Sequence, residues 1–597
     1  MIEAISYSAD SARSITQHGM VVAWGHFANR IGLVPQLRQV PIAQKTVIRP
    51  PQENLAALLI GLLSGIEYLS DLSVGAMPLK RDTAVADAWG LQRLASASGV
   101  SRTLHACDAR SVEALEQELA CISRPFVQRA VDDLRQGDAV LQLDADLTGR
   151  SVSPNSRTFP GAAYGYMDGT VRLGYQVAQI CLQTRLYGRQ WLAVQHHPGN
   201  TVLAPCLLGL VEMAEQRMGC HPRRRVELVQ QRGAACQQAM VDLETEVARH
   251  RQRMDTLSQR VTRLQQQISG AQSEIQALLS EPISTRQPGR YSRLSQLKRR
   301  SASWEAQLQR ATSGLTRAHS TGQSCAQRLQ ARRDELGYLQ VRYEHFSRQN
   351  DQQSVPPRCC IRMDAAFCSG HNLTELIELG YDVESKFIND APLRALLKRI
   401  GPTTTWCRVS TNAEMVGWTN YYVRSCPYPL LVAIERFQGH QGTRYSVLVR
   451  NQGDGQTTCP DLPAWFHAYN GRQTIEAGIK EQKTTFKIQH LMSRSPAGIQ
   501  IQVHLTAFAA NFVRWAVEWI EPRIEQSTNH FQQVLTSPKQ LVRVAANSLA
   551  VIERSDGCTA IHFSHLSSFP CVIICTSGLI AQQLSLRLSG NHFFSSA

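Results

Sequence analysis

Three carboxylates in this sequence have the types and positions that metal-dependent phosphodiester chemistry requires. Asp146 and Asp364 each end a short apolar run, at residues 139–146 and 358–364, and such runs are typical of buried strands. Glu476 lies in a later segment with helical spacing. Mg²⁺ and Mn²⁺ prefer oxygen ligands, and two such ions can activate an attacking hydroxyl and stabilise a leaving oxygen. We therefore predict that Asp146, Asp364 and Glu476 together hold two divalent ions.

The segment around Glu476 carries further side chains suited to binding a phosphate. Tyr469, Arg472, Glu476 and Lys483 are separated by three, four and seven residues, spacings that keep side chains near one face of a helix. Arg472 and Lys483 are charge-assisted donors of the kind that hold phosphates beside a scissile bond. We predict DNA-binding roles for both and for the hydroxyl of Tyr469. The alternative is a surface helix with scattered charges.

The same residues resemble the signature of a known superfamily. Their spacing is similar, residue for residue, to the Tyr-Arg-Glu-Lys signature of a large superfamily of bacterial insertion-sequence transposases of the DDE type. Asp146 followed by Thr148 resembles its first motif, and Asp364 followed by Phe367 resembles its second. The turn His197-Pro-Gly-Asn also resembles a turn found in that group.

The resemblance implies both a fold and an activity. The implied fold is an α/β RNase H-like catalytic domain, a mixed sheet flanked by helices, with a β-rich insertion before Glu476. The implied activity is metal-dependent cleavage and strand transfer on double-stranded DNA, at the ends of an insertion sequence and at its target. A homodimer in the synaptic complex is expected, in the bacterial cytoplasm and associated with the nucleoid. Two alternatives share these residues: a catalytically silent, transposase-derived DNA-binding or scaffold protein, and an RNase H-like nuclease without strand transfer.

The first aspartate has a neighbour that could take its place. Asp144 and Asp146 are two residues apart, so a strand would direct both side chains to the same face. The resemblance favours Asp146, because Thr148 follows it at the superfamily's offset. Asp144 then has a supporting position, although the sequence leaves the choice open.

Changes in the spacing of apolar residues divide the chain into five parts. Helical spacing dominates the first part, where a turn of small residues at 94–104 leads into a helix that either reads DNA or only packs. Apolar runs of strand type follow, and they return after residue 356. The predicted parts are a helical, DNA-binding N-terminal domain (1–136), the first part of the RNase H-like domain (137–222), a coiled-coil hairpin (223–355), the second part of the RNase H-like domain with a β-insertion at about 404–451 (356–540), and a C-terminal segment (541–597).

The hairpin is predicted from apolar residues that step by three and four. One series runs through residues 240–278 and a second through 294–346, with a Pro/Gly break at 281–289 between them. Two such runs predict an antiparallel coiled coil, with arms of roughly 80 Å at 1.5 Å per residue. As an insertion it stretches the interval between Asp146 and Asp364 to 218 residues, far longer than the superfamily usually shows.

The charge balance favours a polyanionic partner. The formal net charge is +15, and residues 223–350 hold 22 Lys and Arg against 11 Asp and Glu. Nucleic acid is the commonest such partner, and an anionic membrane surface is the rival. On the hairpin the charges serve either solubility or dimerisation and DNA clamping.

No run approaches the ~20 apolar residues of a membrane span, and the first residues lack the pattern of a secretory signal. The 16 cysteines are scattered without a Cys-x-x-Cys pair, so we expect reduced thiols rather than a zinc site.

Overall fold

Two compact units make up the described part of this protein. The first unit combines the chain up to Arg223 with the chain from Val355 onward, and the second unit is Arg224–Ser354. Nowhere in the described residues does a helix have the length and apolarity that crossing a bilayer requires. The computed structural model describes residues 12–575 except for short gaps at 45–48, 76–77, 156–157, 168, 202–203, 281–289, 388–389, 440–441, 453–460, 525–533, 556–557 and 564–570.

The first unit contains both strands and helices. Its strands are β1 Ala12–Thr16, β2 Leu141–Ser151, β3 Ala163–Met167, β4 Thr170–Thr184, β5 Gly188–Pro198, β6 Cys359–Met363, β7 Asp382–Lys386, β8 Cys407–Ser410, β9 Ala413–Val423, β10 Cys426–Gly439, β11 Gly442–Asn451, β12 Ala550–Ser555, β13 Cys558–Phe563 and β14 Cys571–Cys575. Its main helices are α1 Gly19–Arg30, α2 Leu33–Leu37, α3 Gln52–Leu63, α4 Thr83–Ala88, α5 Ala97–Ala106, α6 Ala109–Gln136, α7 Cys206–Met218, α10 Gly370–Glu378, α11 Asp390–Leu397, α12 Leu462–Asn470, α13 Gln473–Thr484 and α14 Pro496–Ile520, with α8 Val226–Ser280 and α9 Arg290–Gln352 forming the second unit.

A ten-stranded mixed sheet is the centre of the first unit. Its strands run in the order β3-β4-β2-β6-β7-β11-β10-β9-β8, and β5 pairs with β4. β2 is antiparallel to β4 and parallel to β6, which in turn is parallel to β7. On β2, Leu141, Leu143 and Ala145 are fully buried, as an apolar run in a covered central strand should be. The prediction of a mixed α/β architecture is confirmed.

The β-rich segment between Asp364 and Glu476 extends this sheet. β8 to β11 form an antiparallel meander, and β11 pairs with β7. The hairpin of β10 and β11 closes at Gly439 opposite Gly442. One face of the meander packs under α12 through Trp465 and Tyr469.

The two ends of the chain contribute to one core. Residues 12–16 were included in the helical N-terminal domain, but they form strand β1, which pairs with β12 in a four-stranded sheet ordered β1-β12-β13-β14. The helical spacing expected in residues 1–136 is seen in α3, Gln52–Leu63. The apolar side chains of α1 and α3 pack with α14 and with the C-terminal strands in a single buried cluster. The described residues of the N-terminal part (12–136) and of the C-terminal segment (541–575) therefore belong to the same compact unit.

The second unit consists of two long antiparallel helices. α8 has 55 residues and α9 has 63, and they pack against each other along their length. Near the start of α8, the backbone N–H of Arg224 donates to Asn350 Oδ1 at 2.8 Å, and Asn350 Nδ2 donates to the carbonyl of Arg224 at 2.9 Å. These two bonds clamp the ends of the hairpin together. The connection at 281–289, predicted as a Pro/Gly break, lies outside the described residues.

Candidate active site

Two adjacent parallel strands place the first two carboxylates side by side. β2 and β6 are in register with Ala145 opposite Met363. The backbone N–H of Asp364 donates to the carbonyl oxygen of Ala145 at 3.2 Å. Asp146 and Asp364 follow directly after this pair, so their side chains start from neighbouring points although 218 residues separate them.

The third carboxylate comes from a helix that packs on the sheet. Glu476 lies in the first turn of α13, and α13 contacts β2. The helix dipole favours a negative charge in this turn. The Glu476 side chain is 56% exposed, so it stands at the solvent side of the site.

Arg472 connects all three carboxylates. Its Nη1 lies 2.8 Å from Asp146 Oδ2, and its Nη2 lies 2.9 Å from Glu476 Oε1 and 3.8 Å from Asp364 Oδ1. The guanidinium is mostly buried and immediately precedes α13, which fixes its position relative to Glu476. The structure thus gathers four of the six residues singled out from the sequence around one point.

Burial and mutual charge shift the protonation equilibria here. Burial raises the pKa of Asp146 to about 6, and the like charges of Asp364 and Glu476 act in the same direction, while Arg472 opposes them. For Arg472, burial alone would lower the pKa of the guanidinium, but Asp146, Tyr469 and the other two carboxylates raise it above its usual range. The charge of Asp146 therefore changes close to neutral pH.

An open cleft of about 560 Å³ lies over this group. Two lysines of α13, Lys480 and Lys483, reach it from the same side as Glu476. Carboxylates beside lysines give the cleft separate places for cations and for anionic oxygens. Its walls are Asp146, Leu147, Asp364, Arg472, Glu476, Ile479, Lys480, Lys483, Thr484 and Gln489.

The donor set suits hard divalent cations. All three acidic side chains offer oxygen, and the cleft has room for the waters that Mg²⁺ retains. Within the described residues, the only three potential ligands found within 4.8 Å of one another lie elsewhere, on the hairpin. The oxygen atoms of Asp146, Asp364 and Glu476 are therefore not all within that distance of one another.

The Asp144 carboxylate is bound by other side chains beneath the cleft and does not line it. Its side chain is fully buried, and Arg362 grips both carboxylate oxygens, with Nε at 2.6 Å and Nη2 at 2.9 Å. Gln183 donates to the same carboxylate at 2.8 Å. Since Asp144 is fully occupied, Asp146 is the aspartate of β2 that faces the cleft, as the position of Thr148 indicated.

The segment from Tyr469 to Lys483 is not one continuous helix as predicted. α12 ends at Asn470 and α13 begins at Gln473, with Gly471 and Arg472 between them. Asn and Gly are poor helix formers. A Cβ at Gly471 would also lie 2.5 Å from Arg362 Nη1, so glycine is needed where the guanidinium approaches the backbone.

This break separates Tyr469 from the other predicted phosphate-binding residues. Tyr469 is 5% exposed and packs in the apolar cluster beneath α12. Its ring lies 6.0 Å from the Arg472 guanidinium and 5.3 Å from Lys386 Nζ. Lys483, by contrast, lines the cleft. Tyr469 is thus placed behind Arg472, where it supports the position of the guanidinium.

Sequence reasoning missed the residue that holds this assembly together. Arg362 binds Asp144 on β2 and also donates from Nη1 to the carbonyl oxygen of Ala468 at 2.6 Å, at the end of α12. It therefore joins β2 and β6 to α12, the helix that ends just before Arg472. The available signal was its position two residues before Asp364, because a charged residue on the same face of a buried strand requires a partner.

No protein-family model matches this chain, and no curated protein matches it either.

Proposed function

We propose that this protein is a DNA transposase that cuts and joins double-stranded DNA at the ends of an insertion sequence. Asp146, Asp364 and Glu476 hold two Mg²⁺ or Mn²⁺ ions in this proposal. The observation that carries it is the convergence of these three carboxylates, from two neighbouring strands and a helix far apart in sequence, on Arg472. Solvated carboxylates without a shared function have no reason to meet in this way.

The architecture supports the same assignment. The three long strands β2, β4 and β5 are antiparallel neighbours, with the five-residue strand β3 between β2 and β4 in the chain. α7 follows them, β6 is then parallel to β2, and β7 is parallel to β6. Apart from β3, this order is that of three strands followed by a helix, the opening of the RNase H-like fold that the Tyr-Arg-Glu-Lys resemblance implies. Asp146 lies within β2 and Asp364 directly follows β6, the two neighbouring strands at the centre of that order.

The charges around the cleft suit a DNA backbone. Two bound ions would supply activation of the attacking water or 3′-hydroxyl and stabilisation of the leaving oxygen. Arg472 and Lys483 would bind phosphate oxygens as charge-assisted donors. Arg472 pairs with all three carboxylates, and cations bound by those carboxylates would leave its guanidinium available to a phosphate. Two DNA ends must be held together for joining, so we propose a homodimer in the synaptic complex, acting on the bacterial nucleoid.

Metal-dependent cleavage at the element boundary is the direct test. The protein is incubated with labelled duplex DNA that spans an end of its element, in Mg²⁺, Mn²⁺ or EDTA. We expect cuts at the boundary only with a divalent ion, and joined products when target DNA is added. Cleavage without joining would favour the nuclease alternative, and binding without cleavage would favour the silent DNA-binding protein. Cleavage that persists in EDTA would rule out the two-metal site.

The affinity of the site for Mn²⁺ should depend on pH through Asp146. Burial raises the pKa of Asp146 to about 6, and a metal ligand must be deprotonated, so protons and Mn²⁺ compete below that pH. We expect affinity to fall about tenfold per pH unit below about 6 and to level off above about 7. Titration calorimetry between about pH 5 and 8 measures this. Asp146→Asn should bind more weakly and lose this dependence; an unchanged profile would mean that another group titrates.

A further inference from the structure

A polar layer interrupts the apolar core of the hairpin. Core positions of α8 alternate steps of four and three residues, through Leu243, Val247 and Met254. His250 occupies the core position between Val247 and Met254. On α9 the facing core positions include Cys325, which is 2% exposed. Polar residues in a coiled-coil core lower its stability, so they are retained for register or for function.

The side chains of this layer form a set of metal ligands. One ligand atom each of Glu246, His250 and Cys325 lies within 4.8 Å of the other two. Glu246 and His250 are one helical turn apart on α8, with Glu246 Oε1 4.0 Å from His250 Nε2. Carboxylate oxygen, imidazole nitrogen and thiolate sulfur are all zinc ligands.

Two further features distinguish this level of the hairpin. The Nδ1 atom of His250 is buried without a hydrogen-bond partner among the described residues, although a buried imidazole nitrogen normally has one. Gly322 of α9 lies opposite His250, and a Cβ added there would be in ordinary contact with the Cβ of His250 at 3.7 Å. The two helices therefore approach each other closely at this level.

We infer that Glu246, His250 and Cys325 bind a zinc ion, with water as the fourth ligand. Tetrahedral zinc separates its ligand atoms by roughly 3.3–3.8 Å, so the three side chains need to close by about 1 Å. Binding releases the thiol proton of Cys325 to solvent, because the thiolate is the ligand. Arg328 lies 3.8 Å from Glu246, but its side chain is 62% exposed and that ion pair is easily given up.

This set of ligands lacks the paired cysteines of a Cys-x-x-Cys zinc motif. It combines two residues of one helix with a single cysteine of the other. The three ligands come together only when the helices take the register seen here. The zinc ion would therefore fix that register in addition to filling the polar layer.

Cobalt substitution in the full-length protein tests the inference. The reduced, metal-stripped protein is titrated with Co²⁺ in excess Mg²⁺, which occupies the proposed active site. We expect the near-ultraviolet thiolate-to-cobalt band and visible bands of tetrahedral Co²⁺, saturating at one ion per chain and lost when Zn²⁺ is added. Absence of the thiolate band from the wild-type protein would overturn the inference.

Variants of the hairpin assign the ligands. Cys325→Ser should lose the thiolate band while keeping the helical circular dichroism of the wild type. Cys236→Ser is the matched control, since Cys236 is also a buried core cysteine of the hairpin but has no such ligand set around it among the described residues. It should behave as the wild type does. Glu246→Gln should retain the band with at least about tenfold weaker affinity. A band that survives in Cys325→Ser would place the cobalt at another cysteine.

Discussion

Replacing Glu476 with Gln is expected to reduce metal-dependent DNA cleavage by at least about 10³-fold, which corresponds to about 4 kcal/mol of transition-state stabilisation. The substitution keeps the size of the side chain but removes the negative charge that a divalent ion requires. Glu476 is 56% exposed and pairs with the guanidinium of Arg472. In the variant, that guanidinium keeps its ion pair with Asp146. The fold and the affinity for DNA should therefore be unchanged.

The measurement separates binding from chemistry. Single-turnover cleavage gives the rate, and an electrophoretic mobility shift in EDTA gives the DNA affinity. Glu521→Gln is the control, because Glu521 is an exposed carboxylate outside the cleft and should cut at the wild-type rate. If Glu476→Gln cuts as fast as wild type, Glu476 does not belong to the metal site and the proposed function loses its third ligand.

Replacing Arg362 with Ala is expected to lower the free energy of unfolding of the first unit by about 3–5 kcal/mol. The change leaves Asp144, which has no exposed surface, without its ion-pair partner. Burial already raises the pKa of Asp144 against the opposing effect of Arg362, so without that arginine the carboxyl takes up a proton more readily. Urea unfolding followed by tryptophan fluorescence measures the loss.

Two comparisons identify the cause of this destabilisation. Arg358→Ala removes an ion pair with Asp382 at 3.6 Å from an arginine that is 70% exposed, so it should cost less than about 1 kcal/mol. The double variant Asp144→Leu/Arg362→Met replaces the buried pair by apolar groups and should recover most of the stability. Equal losses in Arg358→Ala and Arg362→Ala would show that Arg362 contributes no more than a surface charge.

The sequence was informative where local pattern determines structure. The apolar runs at 139–146 and 358–364 predicted buried strands, and the three-and-four stepping predicted the two hairpin helices. These inferences succeed because burial of a periodic apolar face depends on residues close together in the chain. The expectation that Asp146 ends its strand is wrong, because β2 continues past it to Ser151. Glu476 could be grouped with the aspartates only through the resemblance of the Tyr469–Lys483 spacing to the superfamily signature.

The features that were missed depend on partners far away in the sequence. The pairing of Arg362 with Asp144 requires knowing that β6 lies beside β2, and the short run at 12–16 becomes a strand only because β12 offers an edge. Arg13 and Glu553, which pair across those two strands, are 540 residues apart. The end of α12 at Asn470 likewise depends on the approach of Arg362 to Gly471. No local propensity contains this information.

The clamp between Arg224 and Asn350 bears on how the central strands find each other during folding. A flexible connection between β2 and β6 would have to close a loop of about 200 residues, and long-range closure slows folding. A hairpin that forms first through local contacts brings Arg224 and Asn350 together. The loop between β2 and β6 that must still close is then shorter by the length of Arg224–Ser354. The equilibrium gain is only about 1 kcal/mol, because closure entropy grows with the logarithm of loop length. The larger effect is kinetic: the pairing that aligns Asp146 with Asp364 has a much lower effective contact order than its 218-residue separation suggests.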